Sequence, residues 1–175
     1  MKNLIVILAV FLLLAACSQT TTTRTEGIPQ TEKQTTTESL EQIKADTLAK
    51  NDVTQNLVIP TKIKKGKAGD TFVFGSIFNL VNQQKGVYSV KLDFIEGRDS
   101  SYNRIELSRE AGNTWVQSSA GFTAGEEPTF VPITVKAGSA AQPGTYTYDV
   151  FVYVSKGTFE NKLDSINKKI SVKIE

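Results

Sequence analysis

The side chains able to make or break bonds are few, and one absence and one singleton set the pattern. No histidine occurs in the 175 residues, which removes the usual general base, the Ser-His-Asp arrangement and most zinc sites in one step. The single cysteine is Cys17. Ser76, Ser89, Ser100 and Ser101 stand in no nucleophile motif, so a Ser-Lys dyad is only a formal option, and loop serine ordinarily forms turns. Glu126 and Glu127 are adjacent, and in a strand they point to opposite faces, so they need not share a substrate. Asp93, Glu96, Asp99 and Glu106 could meet around calcium across loops, but they follow the spacing of no calcium loop and read as solvated acids. The chain therefore implies no catalytic residue, no metal and no cofactor. Exposed aromatic rings remain, because flat apolar faces with hydroxyl handles suit recognition, including that of carbohydrate. Alternating patterns place most of them in a core. Tyr102, in a polar segment, and Phe151 and Tyr153, on the second face of a strand, are the candidate ligand contacts.

Cys17 is placed by what precedes it. Lys2 forms a positive start, Leu4 to Leu14 form an apolar run, and Ala15 and Ala16 are small residues before the thiol. The run is shorter than the roughly 20 residues that cross a bilayer as a helix. Leu14-Ala15-Ala16-Cys17 resembles the lipobox of prokaryotic lipoproteins. The resemblance implies cleavage between Ala16 and Cys17, a diacylglyceryl group on the Cys17 thiol, and a place on the extracytoplasmic side of the cell membrane. Two acyl chains hold firmly where one binds only marginally. With Cys17 so committed, no disulfide is available, and the exported part must hold together by packing alone.

The elements that would present any contact follow from composition. Lys and Arg number 20 against 18 Asp and Glu, a net charge of +2, with no clustered basic face to suggest nucleic acid. From Ser18 to about Ser39 the chain is rich in Thr, Gln, Glu and Ser and too poor in apolar residues to offset its ordering entropy, so it reads as a disordered tether. Ser39 is placed as an N-cap with Gln42 three residues on, and Leu40, Ile43 and Leu48 suggest a short amphipathic helix that either docks or frays. The division expected is residues 1–16 as signal peptide, 17–50 as lipidated cysteine and Thr-rich tether with the short helix, and 51–175 as the folded domain.

From Leu57 the signals are those of strands. Tyr88, Val90, Leu92 and Phe94 alternate with Ser89, Lys91 and Asp93, giving a half-buried strand. Tyr146, Tyr148, Val150, Val152 and Val154 form a second set, with Phe151 and Tyr153 opposite, which suggests a central strand. Ile170, Val172 and Ile174 make a closing strand. Phe72 to Phe78, the segment around Trp115 and Phe130 to Val135 supply others, and Leu57 to Ile63 reads as an edge because Pro60 lacks a ladder donor. Seven or eight short strands with no strong helix between them specify an all-β, antiparallel sandwich.

Three runs then look familiar: Phe122-Thr123-Ala124-Gly125-Glu126-Glu127, Phe130-Val131-Pro132-Ile133-Thr134-Val135, and Ala141-Gln142-Pro143-Gly144-Thr145-Tyr146. With the strand ending at Phe78-Asn79, they resemble the immunoglobulin-like domains of prokaryotic surface proteins, of the cell-adhesion-related and glycosidase-associated kinds. The resemblance spans residues 57 to 175 and implies an immunoglobulin-like sandwich. The segment Gly97 to Glu110 departs from it, leaving strand order open between 97 and 118. The expectation is a membrane-anchored, non-catalytic binding or adhesion module whose partner is an envelope protein or glycan. The alternative is an accessory structural subunit of an envelope assembly or transport complex.

Overall fold

The structure, a computed structural model, describes residues 38–117 and 121–175. The signal segment, the lipobox with Ala16 and Cys17, and the tether up to residue 37 lie outside the described residues. Those described belong to one compact unit, Thr37–Glu175, of ten strands and two helices in the order α1 (Leu40–Leu48), β1 (Leu57–Val58), β2 (Ile63–Gly66), β3 (Thr71–Phe78), β4 (Gly86–Arg98), β5 (Arg104–Ile105), α2 (Arg109–Asn113), β6 (Val116–Gln117), β7 (Phe122–Ala124), β8 (Thr129–Lys136), β9 (Gly144–Lys156) and β10 (Phe159–Ile174).

Two sheets form the sandwich. One runs β1-β3-β8-β6; the other runs β2-β10-β9-β4-β5, with β7 also on β4. All pairings are antiparallel except β2 with β10. This is the immunoglobulin order of strands, with the first strand divided between the sheets. Pro60 lies at the division. The sequence reads Leu57 to Ile63 as one edge strand; the structure breaks it into β1 on one sheet and β2 on the other, because a residue with no N–H cannot continue the ladder.

Alternation fills the space between the sheets. Phe72, Phe74 and Phe78 of β3 and Val131, Ile133 and Val135 of β8 meet Tyr88, Val90 and Phe94 of β4, Tyr146, Tyr148, Val150 and Val152 of β9, and Ile170, Val172 and Ile174 of β10. Each such side chain contributes about 1.5–3 kcal/mol relative to exposure. Two buried tyrosines anchor strand starts by the same device. The Tyr146 hydroxyl donates to the Gln142 carbonyl at 2.8 Å, and the Tyr88 hydroxyl donates to the Gln84 carbonyl. The first of these is the tyrosine corner of immunoglobulin-type sandwiches.

Helix α1 docks. Ser39 is its N-cap, accepting from the Gln42 N–H at 3.2 Å, while the Gln42 side chain turns forward to Asp46 instead of closing a capping box. The buried face is not the leucine face that the sequence suggests: Leu40 and Leu48 are exposed, and Ile43 and Thr47 are buried. The reason is Gly75. A Cβ there would fall 1.9 Å from Thr47 Oγ1 and 3.0 Å from Ile43 Cγ2, so only glycine lets the helix close onto β3. Beneath it Ile77, with its register partner Val58, is buried on the side of the sheet away from the main core. The segment that follows α1 is clasped by asparagines. The Asn79 side-chain amide lies 2.8 Å from the Gln55 carbonyl and 3.1 Å from Asn51 Oδ1, and Asn56 Nδ2 donates to the Val81 carbonyl at 2.7 Å.

Around Trp115 the sequence suggests a strand, and the structure places there the short helix α2 followed by a strand of two residues. Ser108 caps α2 by accepting from the Ala111 N–H at 3.1 Å, and the polar run Arg109 to Asn113 has no apolar alternation to feed a ladder.

Candidate functional site

The register gathers two of the three candidate contacts on the outer face of the six-stranded sheet. Phe151 pairs with Lys91 of β4 and Asn167 of β10, and Tyr153 pairs with Ser89 and Lys162. Both rings are half-buried and carry ammonium groups: Lys162 Nζ stands 3.5 Å from the Phe151 ring centroid and Lys91 Nζ 4.8 Å from that of Tyr153. Such cation–π contacts are worth about 0.5–1 kcal/mol at exposed sites. Lys91 also pairs with Glu160, which accepts from Ser89 Oγ at 3.2 Å. The Lys91 hydrogen bond holds the Glu160 carboxyl below its usual range. Leu163 to Ile166 bulge from β10 opposite Val152, turning Ile166 into the core. Lys162 is thereby set over Phe151 although its register partner is Tyr153.

Next along this face Asp93 and Asp149 sit directly opposite one another, an arrangement that like charges disfavour. Each has its own cation. Lys169 Nζ is 3.5 Å from Asp149 Oδ1, and Arg109 reaches from α2 to grip Asp93, with Nε at 2.7 Å from Oδ1. Asn113 adds a donor to Asp93 at 3.1 Å and accepts the Phe94 N–H at 2.7 Å. The Arg109 hydrogen bond, aided by Asn113, holds the Asp93 carboxyl below the ordinary carboxylate range. Helix α2 thus neutralises a carboxylate and covers an open donor on the edge of β4.

Tyr102 is elsewhere. It occupies the β4–β5 hairpin in the left-handed region, φ 65°, and is 80% exposed. The loop is set by Asp99, whose carboxylate accepts the N–H groups of Ser101 and Asn103 at 2.8 Å each, and Arg98 donates to the Tyr102 carbonyl at 3.0 Å. The Asn103 side chain is the main cause of a lowered Asp99 pKa. The remaining acids are dispersed: Glu96 pairs with Arg98 at 2.7 Å and Glu126 with Lys85 at 2.6 Å. Of the loop-acid group, Asp93, Glu96 and Asp99 each have separate partners, and among the described residues no cluster of acids forms a cation site. Ser76 is buried and donates to the Val131 carbonyl at 2.6 Å.

A cavity of about 250 Å³ lies at the hairpin end, where β5 and its following turn face the β8–β9 connection. Trp115 and Tyr146 form its aromatic wall, their ring centroids 4.8 Å apart. Its making depends on residues distant in sequence, and only the unusual content of the wall, the single Trp, gives a local hint.

No family model matches the chain, and no curated protein matches it either. Among solved structures, a family 123 glycoside hydrolase from Clostridium perfringens is 11% identical with a TM-score of 0.41, over 66% of this chain and 23% of that one. The ASH/PapD-like domain 7 of human CEP192 is 12% identical with a TM-score of 0.42, over 71% of this chain and 89% of that one. The chain thus spans under a quarter of the glycoside hydrolase.

Proposed function

We propose that this protein is a lipid-anchored, extracytoplasmic β-sandwich that acts by binding an envelope partner through the outer face of its six-stranded sheet, without catalysis. The anchor is supported by Lys2, the apolar run and Leu14-Ala15-Ala16-Cys17. The binding reading is carried by one observation: helix α1 packs on the outer face of one sheet at Gly75, whereas the other sheet presents Phe151 and Tyr153 beneath Lys162 and Lys91. Lysine stems can swing off a ring at little cost and leave it for an incoming group.

The test is photo-crosslinking on intact cells from a probe at position 162, followed by mass spectrometry of the captured material, with Phe151→Ala/Tyr153→Ala as the comparison. Reproducible capture of one envelope component that the double variant loses while remaining folded supports the reading. Capture unaffected by the double variant moves the binding surface off this face. Mass spectrometry of the mature terminus tests the anchor separately: an unmodified Cys17 removes it.

A further inference from the structure

We propose that the cavity beside Trp115 is a subsite for a single neutral sugar ring, distinct from the sheet face described above. The cavity holds about 250 Å³, at or below the low end of ligand pockets, so it suits one ring and excludes an extended ligand. Its wall is the half-buried indole of Trp115 with Ile105, Leu107 and Tyr146, and its polar groups are Glu106 and Gln142. A pyranose ring has an apolar C–H face that lies flat on an indole and an equatorial belt of hydroxyls that must be met by donors and acceptors.

Acceptor and donor both stand at its rim, on the exposed side chains of Glu106 and Arg104. Glu106 lines the cavity and also an adjoining depression that it shares with Arg104, Leu107 and Ser108. Among the described residues neither Glu106 nor Arg104 has an ion pair or a side-chain hydrogen bond, whereas Glu96 and Asp99 on the same hairpin are both engaged. A carboxylate only accepts and a guanidinium only donates, while a hydroxyl does both, so a vicinal diol that spans from the cavity into the adjoining depression would satisfy Glu106 and Arg104 together. A cationic ligand would gain Glu106 but meet Arg104, and an anionic ligand the reverse. Gly138 holds the wall open: a Cβ there would fall 3.0 Å from Trp115 Nε1.

Trp115 is the only tryptophan, so its fluorescence reports this site alone. The experiment titrates the full-length chain in detergent with the methyl glycosides of glucose, galactose, mannose and N-acetylglucosamine, with choline and acetate as charged controls. The expected result is a saturable change with at least one glycoside, half-complete at about millimolar concentration as befits one ring. Glu106→Ala and Arg104→Ala should each weaken it about tenfold or more while leaving the melting temperature unchanged. Gly138→Val, which displaces the indole, should abolish it; if that variant does not fold, the two surface variants still decide. No saturable change with any glycoside overturns the proposal, as does a response to choline or acetate that exceeds the response to every glycoside, or binding that both surface variants leave intact.

Discussion

The two sheets of this sandwich have outer faces that begin alike and end differently. Each is drawn from strands that put alternate residues outward, and each carries large apolar side chains there. On the four-stranded sheet Ile77 and Val58 are buried outside the main core, and Ile43 of α1 is buried against Gly75 two residues from Ile77. On the six-stranded sheet Phe151 and Tyr153 have lysines above them. One glycine decides the first case, because Gly75 admits the helix where any side chain would exclude it. Charge shapes the second: Asp93, Asp149, Glu160, Lys91, Lys162 and Lys169 ring the aromatic pair. An outward apolar residue is therefore structural or presentable according to what the chain elsewhere can bring to it.

The sharpest way to break that contrast is to truncate on both faces. Ile77→Ala should cost about 2–5 kcal/mol, as for other buried isoleucines, whereas Phe151→Ala, half-buried, should cost about 1–2 kcal/mol. Urea denaturation measures both, and equal losses would mean that the faces do not differ. Gly75→Ala comes next, at about 1–3 kcal/mol from forced displacement of α1. Limited trypsin digestion should then cut at Lys44 and Lys50 faster than in the parent, while a β3 that tolerates the methyl with α1 still protected would show that the close approach is not what seats the helix.

The core between the faces gives a pH test. Burial raises the pKa of Tyr88, Tyr146 and Tyr148, most strongly Tyr148. The folded state favours the neutral phenols, so their contribution is complete below the unfolded value of about 10 and is lost as pH rises beyond it. Melting temperature should fall steeply from about pH 10 upward, and Tyr148→Phe should soften that fall. The smallest effect is expected at Arg109→Gln at neutral pH, because the guanidinium is largely exposed and an exposed ion pair adds little. Since Asp93 is held at a lowered pKa in the folded state, the pair's contribution is present above about pH 4 and fades as pH falls through the folded value. The gap between variant and parent should close on acidification, and a gap that persists at low pH would assign Arg109 a role in packing instead.

Much of this was legible in the chain because it rests on local period. The alternation in Tyr88 to Phe94, Tyr146 to Val154 and Ile170 to Ile174 names three strands of the six-stranded sheet, and Ser39 with Gln42 marks the start of α1. What was illegible depends on partners distant in sequence. Thr47 is buried ahead of Leu40 and Leu48 only because Gly75 lies opposite it. Pro60 announces an interrupted ladder, yet the chain's crossing from one sheet to the other is decided by β10, far downstream. Of the candidate contacts, Phe151 and Tyr153 share a face because one strand carries both, while Tyr102 sits on a hairpin whose position follows from the β4–β5 pairing. The Trp115 cavity needs four separate segments to exist.

The parallel pairing of β2 with β10 bears on how the molecule comes to be made. Ile63 must find Ser171 and Gly66 must find Ile174, contacts that span nearly the whole domain and so form slowly, after loop closure has been met in full. A chain that emerges from its N-terminus outward holds β2 waiting, with its backbone groups open to any other strand, until the final segment arrives. Lys64 and Lys65 occupy the middle of β2, and in that interval their charges would deter the wrong neighbour, as lysines on sheet edges do.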